Sequence, residues 1–296
     1  MSILLNKNTR VLVQGITGKA GRAQTAWMKE YGTNIVAGVT PGKAGEVVEG
    51  VPVYNTIAEA VEKQGAEASV FFIPPPAVKE TAIQTIDAGI KLIIVVTEHI
   101  PVHDVMEIRE YAAGREVEII GPTSPGIITP GEAKVGIMPA NMFNPGRIGI
   151  ISRSGTLSYE VSINLAKGGY GQSTVVGIGA DPVVFTNMSE ILRLFEKDEG
   201  TDLIVIVGEV GGIQEEKAAE FIDRWVTKPV VGYIAGLNAP EEKKMGHAGA
   251  IIRGDGKGTP HSKTAALTEV GVDVARYPAQ VVEFVRKHLS PGRFSV

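Results

Sequence analysis

The feature that most constrains this chain is an alternation that runs twice. Short, continuously apolar, β-branched runs are separated by amphipathic stretches. The first series is "RVLVQGI" (10–16), "NIVAGV" (34–39), "ASVFFI" (68–73), "KLIIVVT" (91–97) and "VEIIGP" (117–122). Stretches such as "IAEAVEKQGA" and "AVKETAIQTIDAG" lie between them. Apolar strands with helices between them predict a parallel, doubly wound sheet with both faces covered. Near residue 145, "NPGRIGIISRSGT" brings Pro-Gly punctuation and a fresh strand, so a domain boundary is expected there. The alternation then restarts with "GRIGIIS" (146–152), "QSTVVGIG" (172–179), "DLIVIVGEV" (202–210), "KPVVGYIAG" (228–236) and "GVDVARY" (271–277). "PAQVVEFVRKHL" reads as a closing helix. The expectation is an α/β protein of two domains with mainly parallel sheets: residues 1–144 Rossmann-like, residues 145–296 flavodoxin-like.

Composition narrows the function. Of 296 residues, 44% are hydrophobic and 21% charged, which suits folded domains and not a disordered chain. A net charge of −4 offers no basic face for nucleic acid. There are no cysteines, so disulfides, thiolate metal sites and a cysteine nucleophile are excluded. No apolar run nears the roughly 18 residues of a membrane span, and "MSILLNKNTRVLVQG" lacks the h-region of a signal peptide. A cytoplasmic location is expected.

Ligands of open α/β sheets bind beyond the carboxyl ends of the strands, so the loops there matter most. "QGITGKAGRA" follows the first strand, with Gly15, Gly18 and Gly21 spaced G-x-x-G-x-x-G. At the start of a helix such a loop presents backbone N–H groups to a phosphate. The dinucleotide fingerprint needs Gly-x-Gly and an acid about 20 residues on. Neither is present: "GVTPGK" ends the second strand with Lys43, which suits a phosphate and not a ribose diol. An NADP-like nucleotide, coenzyme A, or a tight turn that binds nothing all remain open. The prolines of "FFIPPPAVKE" form a rigid wall after the third strand, and "VVTEHIPVHD" follows the fourth. His99, His103, Glu98 and Asp104 match no trusted metal spacing and read as loop residues. "GPTSPGIITPGE" is expected to close the pocket.

In the second half, Ser154 and Thr156 of "SRSGT" can cap the helix that follows, and its first N–H groups can hold an anion. Arg153 and Ser152 precede Ser154, so no G-x-S-x-G elbow is formed. Glu209 in "GEVGG" ends a buried strand; it is either a solvated loop carboxylate or the partner that fixes an imidazole tautomer. His247 sits in "MGHAGAII", among residues with almost no side chain. Small neighbours let a bulky charged group approach the ring. No histidine lies at useful spacing for a metal, leaving a nucleophile or proton carrier. With a helix N-terminus and an orienting carboxylate, the pattern suits an imidazole that carries phosphate.

"QGITGKAG", "GVTPGK", "GPTSPGIITPGE", "GIISRSGTLSYE", "GIGADP", "GEVGG", "KPVVGYIAG" and "MGHAGAII" occur in one order along nearly the whole chain. In this the sequence resembles the α subunits of succinyl-CoA synthetase, the NDP-forming succinate–CoA ligase. The resemblance implies that Thr17, Gly18, Lys19, Ala20, Lys43, Val96, Thr97 and Glu98 bind CoA. It implies that His247 is phosphorylated and Glu209 holds its ring, that Ser154, Gly155 and Thr156 face the phosphate, and that Tyr159 sits near the organic acid. It also implies an ATP-grasp β subunit, in an αβ or (αβ)2 assembly, which binds Mg-ATP or Mg-GTP. No resident metal is implied for this chain. Related readings are the α subunit of another acid–CoA ligase, such as one for malate, a non-catalytic CoA-binding module, or an NADP-dependent oxidoreductase. The family commonly has Asn-Cys where this chain has Thr123-Ser124, so no thiol there is required; His99 stands in place of a usual glycine.

Overall fold

The computed structural model describes residues 2–237, 247–252 and 256–290. Met245 and Gly246 of "MGHAGAII" therefore lie outside the described residues.

The first half contains strands β1 (Val11–Gln14), β2 (Ile35–Val39), β3 (Val47–Val48), β4 (Val51–Tyr54), β5 (Ala68–Phe71), β6 (Leu92–Val95) and β7 (Glu118–Ile120). Helices α1 (Lys19–Glu30), α2 (Ile57–Gln64), α3 (Val78–Asp87) and α4 (Val102–Ala112) connect them. The sheet order is β3-β4-β2-β1-β5-β6-β7, with only the β3/β4 pair antiparallel. The chain winds outward from β1 one way to β4 and then the other way from β5. The crevice between β1 and β5 is thus the switch point where an open α/β sheet takes its ligand. β1, β5 and β6 are buried at every residue, as strands covered on both faces must be.

The second sheet adds β8 (Gly126–Thr129), β9 (Ala133–Gly136), β10 (Pro145–Ser152), β11 (Gln172–Gly177), β12 (Leu203–Glu209), β13 (Val230–Ala235) and β14 (Asp273–Ala275). Its helices are α5 (Gly155–Lys167), α6 (Met188–Lys197), α7 (Gln214–Trp225), α8 (Pro260–Glu269) and α9 (Val281–His288). The order is β14-β13-β12-β10-β11-β8-β9. Strands β10 to β14 pair in parallel, in the flavodoxin-like arrangement with its switch point between β10 and β12.

The hairpin β8–β9 precedes the expected boundary at residue 145 yet belongs to the second sheet, antiparallel to β11. "GPTSPGIITPGE" is therefore a strand as well as a loop: its first residues line a cavity and Gly126–Thr129 extend the second sheet. The same hairpin ties the halves together. Thr33 beside α1 donates its hydroxyl to the Lys134 carbonyl at 2.7 Å, and Thr129 donates to the Leu5 carbonyl at 2.7 Å. The core is continuous across this seam, since Ile94, Ile120, Ile127 and Val176 belong to one buried cluster.

Among the described residues, no helix is long and apolar enough to cross a membrane.

Candidate active site

Two cavities open at the carboxyl ends of the sheets. The first, of about 410 Å³, lies at the β1/β5 switch and is lined by Gly15, Thr17, Gly18, Thr40, Phe72 and Pro74 among others. Gly18 occupies the N-cap of α1 without a side-chain cap, and the first turn carries no acidic residue. The N–H groups of Lys19 and Ala20 at that end have no intrahelical acceptor. They form, with Thr17, an uncompensated positive end suited to a phosphate. The Thr17 hydroxyl hydrogen-bonds to Thr40 at 3.1 Å, which fixes the loop against the end of β2. Gln14 lines the cavity, and its buried Nε2 has no partner in the protein, so a donor points at space a ligand would fill. Lys43 stands outside the lining, half exposed, with its ammonium 3.0 Å from Glu46. Arg22 approaches the same carboxylate at 3.8 Å, so two cations share the rim.

The second cavity, of about 440 Å³, lies over the β10/β12 switch. It brings together residues from both halves of the chain: Val96 and Glu98 from the first, and Arg153, Gly155, Thr156, Tyr159, Asp181 and His247 from the second. Of the residues expected to bind CoA, Thr17 and Gly18 line the first cavity and Val96 and Glu98 the second, while Lys19, Ala20, Lys43 and Thr97 line neither. Thr97 sits at the divide, its hydroxyl bonded to the Ile73 carbonyl at 2.9 Å, and Ile73 lines the first cavity. A ligand using all of them must be long, with an anionic head at α1 and a narrow arm reaching past Thr97.

The second cavity is built on α5. Ser154 caps it, accepting from Leu157 N–H at 3.5 Å, and Ser152 Oγ both accepts from Ser154 N–H and donates to its carbonyl. Gly155 and Thr156, in the first turn of α5 where the backbone N–H groups have no intrahelical acceptor, line the cavity. Tyr159, one turn on, presents its half-buried ring to the same space and packs edge-on to Phe143. Burial raises its phenol above the usual value.

His247 Nδ1 lies 2.6 Å from Glu209 Oε2. The imidazole is 40% exposed while the carboxylate is 7% exposed, so the ring reaches into the cavity from a buried anchor. The hydrogen bond that the ring donates to Glu209 raises the imidazole above its ordinary pKa, against the opposing effect of burial. With Nδ1 engaged, Nε2 is the nitrogen left for chemistry. The surrounding small residues answer a packing demand. A Cβ on Gly249 would lie 2.4 Å from the Ala180 carbonyl oxygen, and one on Gly211 would lie 2.3 Å from the Gly249 carbonyl oxygen. The His247 segment thus presses backbone to backbone between the loops after β11 and β12, held by Gly249 N–H to Ala180 O at 2.8 Å.

Three contributors had no role assigned on sequence grounds. Asp181 lines the cavity opposite His247, and burial raises its carboxyl above the ordinary value. Arg153 is 2% exposed and reaches Glu209 Oε1 at 3.6 Å. Lys263, in α8, is fully buried and donates to the Glu209 carbonyl at 2.7 Å. Nothing in "TPHSKTAAL" marks that lysine, since a helical lysine is ordinarily a surface residue. His99 stands on the rim and Asp104 pairs with Lys79 at 3.1 Å. No group of three or more His, Asp or Glu side chains able to hold a metal occurs among the described residues.

Residues 6–99 match the family described as CoA binding domain, and residues 151–272 the family described as CoA-ligase. The "Succinate--CoA ligase [ADP-forming] subunit alpha" of Aquifex aeolicus is 52% identical over 98% of this chain and 95% of its own length. The corresponding "subunit alpha 2" of Archaeoglobus fulgidus is 53% identical over 98% of this chain and 100% of its own. Among solved structures, ATP citrate lyase from Methanothrix soehngenii, in complex with citrate and coenzyme A, superposes with a TM-score of 0.87 at 25% identity. It covers 96% of this chain, which spans 50% of that longer one. The name "subunit alpha" implies a partner subunit. A chain with this fold, both domain families and relatives of this identity over nearly its full length belongs to the family of succinate–CoA ligase α subunits.

Proposed function

We propose that this chain is the α subunit of a CoA ligase that converts succinate, CoA and ATP to succinyl-CoA, ADP and phosphate, with His247 as the phosphoryl carrier. The observation that carries the proposal is the 2.6 Å contact between His247 Nδ1 and Glu209 Oε2, made inside a cavity that also holds the N-terminus of α5. Glu209 keeps the proton on Nδ1, so Nε2 is the nucleophile. It attacks the γ-phosphorus of ATP, and the bond from phosphorus to the β–γ bridging oxygen breaks as ADP leaves. The amides of Gly155 and Thr156 then face the phosphoryl oxygens, where the positive end of α5 stabilises their charge.

A succinate carboxylate oxygen takes the phosphoryl group from Nε2 and becomes an acyl phosphate, with Tyr159 beside it. The CoA sulfur, delivered past Thr97 between Val96 and Glu98, attacks the acyl carbon, and the carbon–oxygen bond to phosphate breaks. The loop from Thr17 to Ala20 holds a phosphate of CoA at the N-terminus of α1, and the cation at Lys43 serves the 3′-phosphate on its adenosine. Dividing the reaction through a phosphoenzyme replaces one difficult step with easier ones.

The described residues supply no nucleotide-triphosphate cradle of the Walker type in their sequence, which supports a β subunit of the ATP-grasp kind, in an αβ or (αβ)2 assembly, as the source of Mg-ATP. The relatives' names read ADP-forming, which favours ATP over GTP. The enzyme would act in the cytoplasm, where ATP and CoA are at hand.

The test is thioester formation by the chain co-purified with its partner. Succinate, CoA and Mg-ATP should give succinyl-CoA and ADP in equal amounts. Turnover with malate exceeding that with succinate would reassign the acid. CoA binding without any turnover by a complete complex would reduce the chain to a binding module.

A further inference from the structure

Beneath the His247–Glu209 pair lies a charged group, built on Glu209, whose other members the reaction above does not use. Arg153, Glu209, Glu215 and Lys263 are 2%, 7%, 0% and 0% exposed at their side chains. Arg153 Nη1 donates to the Glu209 carbonyl at 3.2 Å, the Gly211 carbonyl at 2.6 Å and Glu215 Oε1 at 3.1 Å. Lys263 Nζ donates to the same two carbonyls, at 2.7 and 2.6 Å, and to Glu215 Oε2. Glu215 Oε1 also accepts from the Glu209 N–H at 3.1 Å. Two cations, one from the turn before α5 and one from α8, therefore grip the same pair of carbonyls around one buried carboxylate.

Such a group is costly to bury, and an apolar cluster of the same volume would serve stability as well or better. Its position suggests another use. The gripped carbonyls belong to Glu209 and Gly211, the turn that aims the Glu209 carboxylate at His247. Arg153 reaches both the clamp and Glu209 Oε1, at 3.6 Å. Arg153 Nε and Glu209 Oε1 are buried without hydrogen-bond partners. These four side chains carry two positive and two negative charges in a region that water does not screen, and Glu216 adds a further carboxylate near Lys263.

We propose that Lys263 and Glu215 are positioning residues that fix the aim of Glu209 and, through the balance of the four buried charges, set the proton affinity of His247. The inference rests on His247 being the reacting imidazole, but not on which acid or nucleotide the enzyme uses. Burial alone would raise the Glu215 carboxyl, but Arg153 and Lys263 outweigh it and hold it below the usual range. The charges facing the imidazole are Glu209 from β12, Arg153 from the turn before α5 and Asp181 from the loop after β11. Lys263 and Glu215 act behind these, across α7 and α8.

The test uses the full chain in complex with its partner. The rate of diethyl pyrocarbonate modification of the His247 peptide, followed by mass spectrometry across pH, reports the neutral imidazole. Lys263→Met leaves the group net negative and should move the midpoint up by about half a unit or more. Glu215→Gln leaves it net positive and should move the midpoint down by a similar amount. The double variant, neutral again, should return close to the parent value, which a merely structural role would not produce. If one single variant does not fold, the other and the double carry the comparison. Midpoints unmoved in folded variants, or singles shifting the same way without restoration in the double, would overturn the inference. Failure of the ligase assay itself would leave this titration readable.

Discussion

His247 Nδ1 and Glu209 Oε2 stand 2.6 Å apart, although 38 residues separate them in the chain. One comes from a loop after β13 and the other from the last residue of β12. The Glu209 backbone is gripped by Arg153 and Lys263, which holds one carboxylate oxygen toward the imidazole, while Arg153 stands 3.6 Å from the other.

Glu209→Gln should therefore preserve the fold while removing the charge that favours the imidazolium and the N–H on Nδ1. Turnover should fall at least about a hundredfold, the scale of a misplaced proton-transfer partner. Steady-state kinetics beside a thermal melt checks both halves: a fall in activity with a large loss of melting temperature would mean that Glu209 acts chiefly on folding.

The Glu209 hydrogen bond raises the folded-state pKa of His247 above its ordinary 6.5. The stability this contributes is present in full below about pH 6.5 and is lost as pH rises through the raised value. The melting temperature of the parent chain, relative to His247→Asn, should accordingly decline as pH rises from about 6.5 through the raised value. An advantage that grows with pH over that window would reverse the assignment. Phosphorylation, which needs neutral Nε2, should accelerate as pH climbs through the same value.

Gly249→Ala would place a methyl 2.4 Å from the Ala180 carbonyl oxygen. Backbone must shift, at a cost of about 1–3 kcal/mol, and the shift moves the segment that carries His247. A lowered urea midpoint together with slower His247 phosphorylation is expected. Unchanged phosphorylation would mean that the segment tolerates displacement.

Lys43 is half exposed and paired with Glu46, so its charge is discounted by solvent. Lys43→Ala should weaken CoA binding by no more than about fivefold and leave 3′-dephospho-CoA almost unaffected. Calorimetric titration with the two ligands separates these outcomes, and equal losses for both would take Lys43 away from the 3′-phosphate.

The fold was largely legible in the sequence because parallel strands buried on both faces must be apolar throughout, as "DLIVIVGEV" and "KLIIVVT" are. The hairpin β8–β9 escaped because its strands are four residues each, set among prolines and glycines that read as loop. Strands β3 and β4 escaped for a similar reason: β3 has two residues and β4 contains Pro52. Glu209 and His247 could be singled out because a carboxylate ending an apolar strand and an imidazole among glycines are unusual locally. Lys263 and Glu215 could not, since each looks like a solvated helical residue and only the packing of α7 against α8 buries them. The two cavities were also beyond reach, because which loops line each depends on contacts between loops far apart in the chain, such as Thr97 with Ile73.

The most direct test of the central claim is to incubate the complex of this chain and its partner with Mg-ATP and map phosphate by mass spectrometry under conditions that preserve phosphohistidine. The account predicts an acid-labile phosphate on the peptide containing His247, discharged when succinate and CoA are added together. A complete, CoA-binding complex that turns over succinate without ever phosphorylating His247 would contradict it.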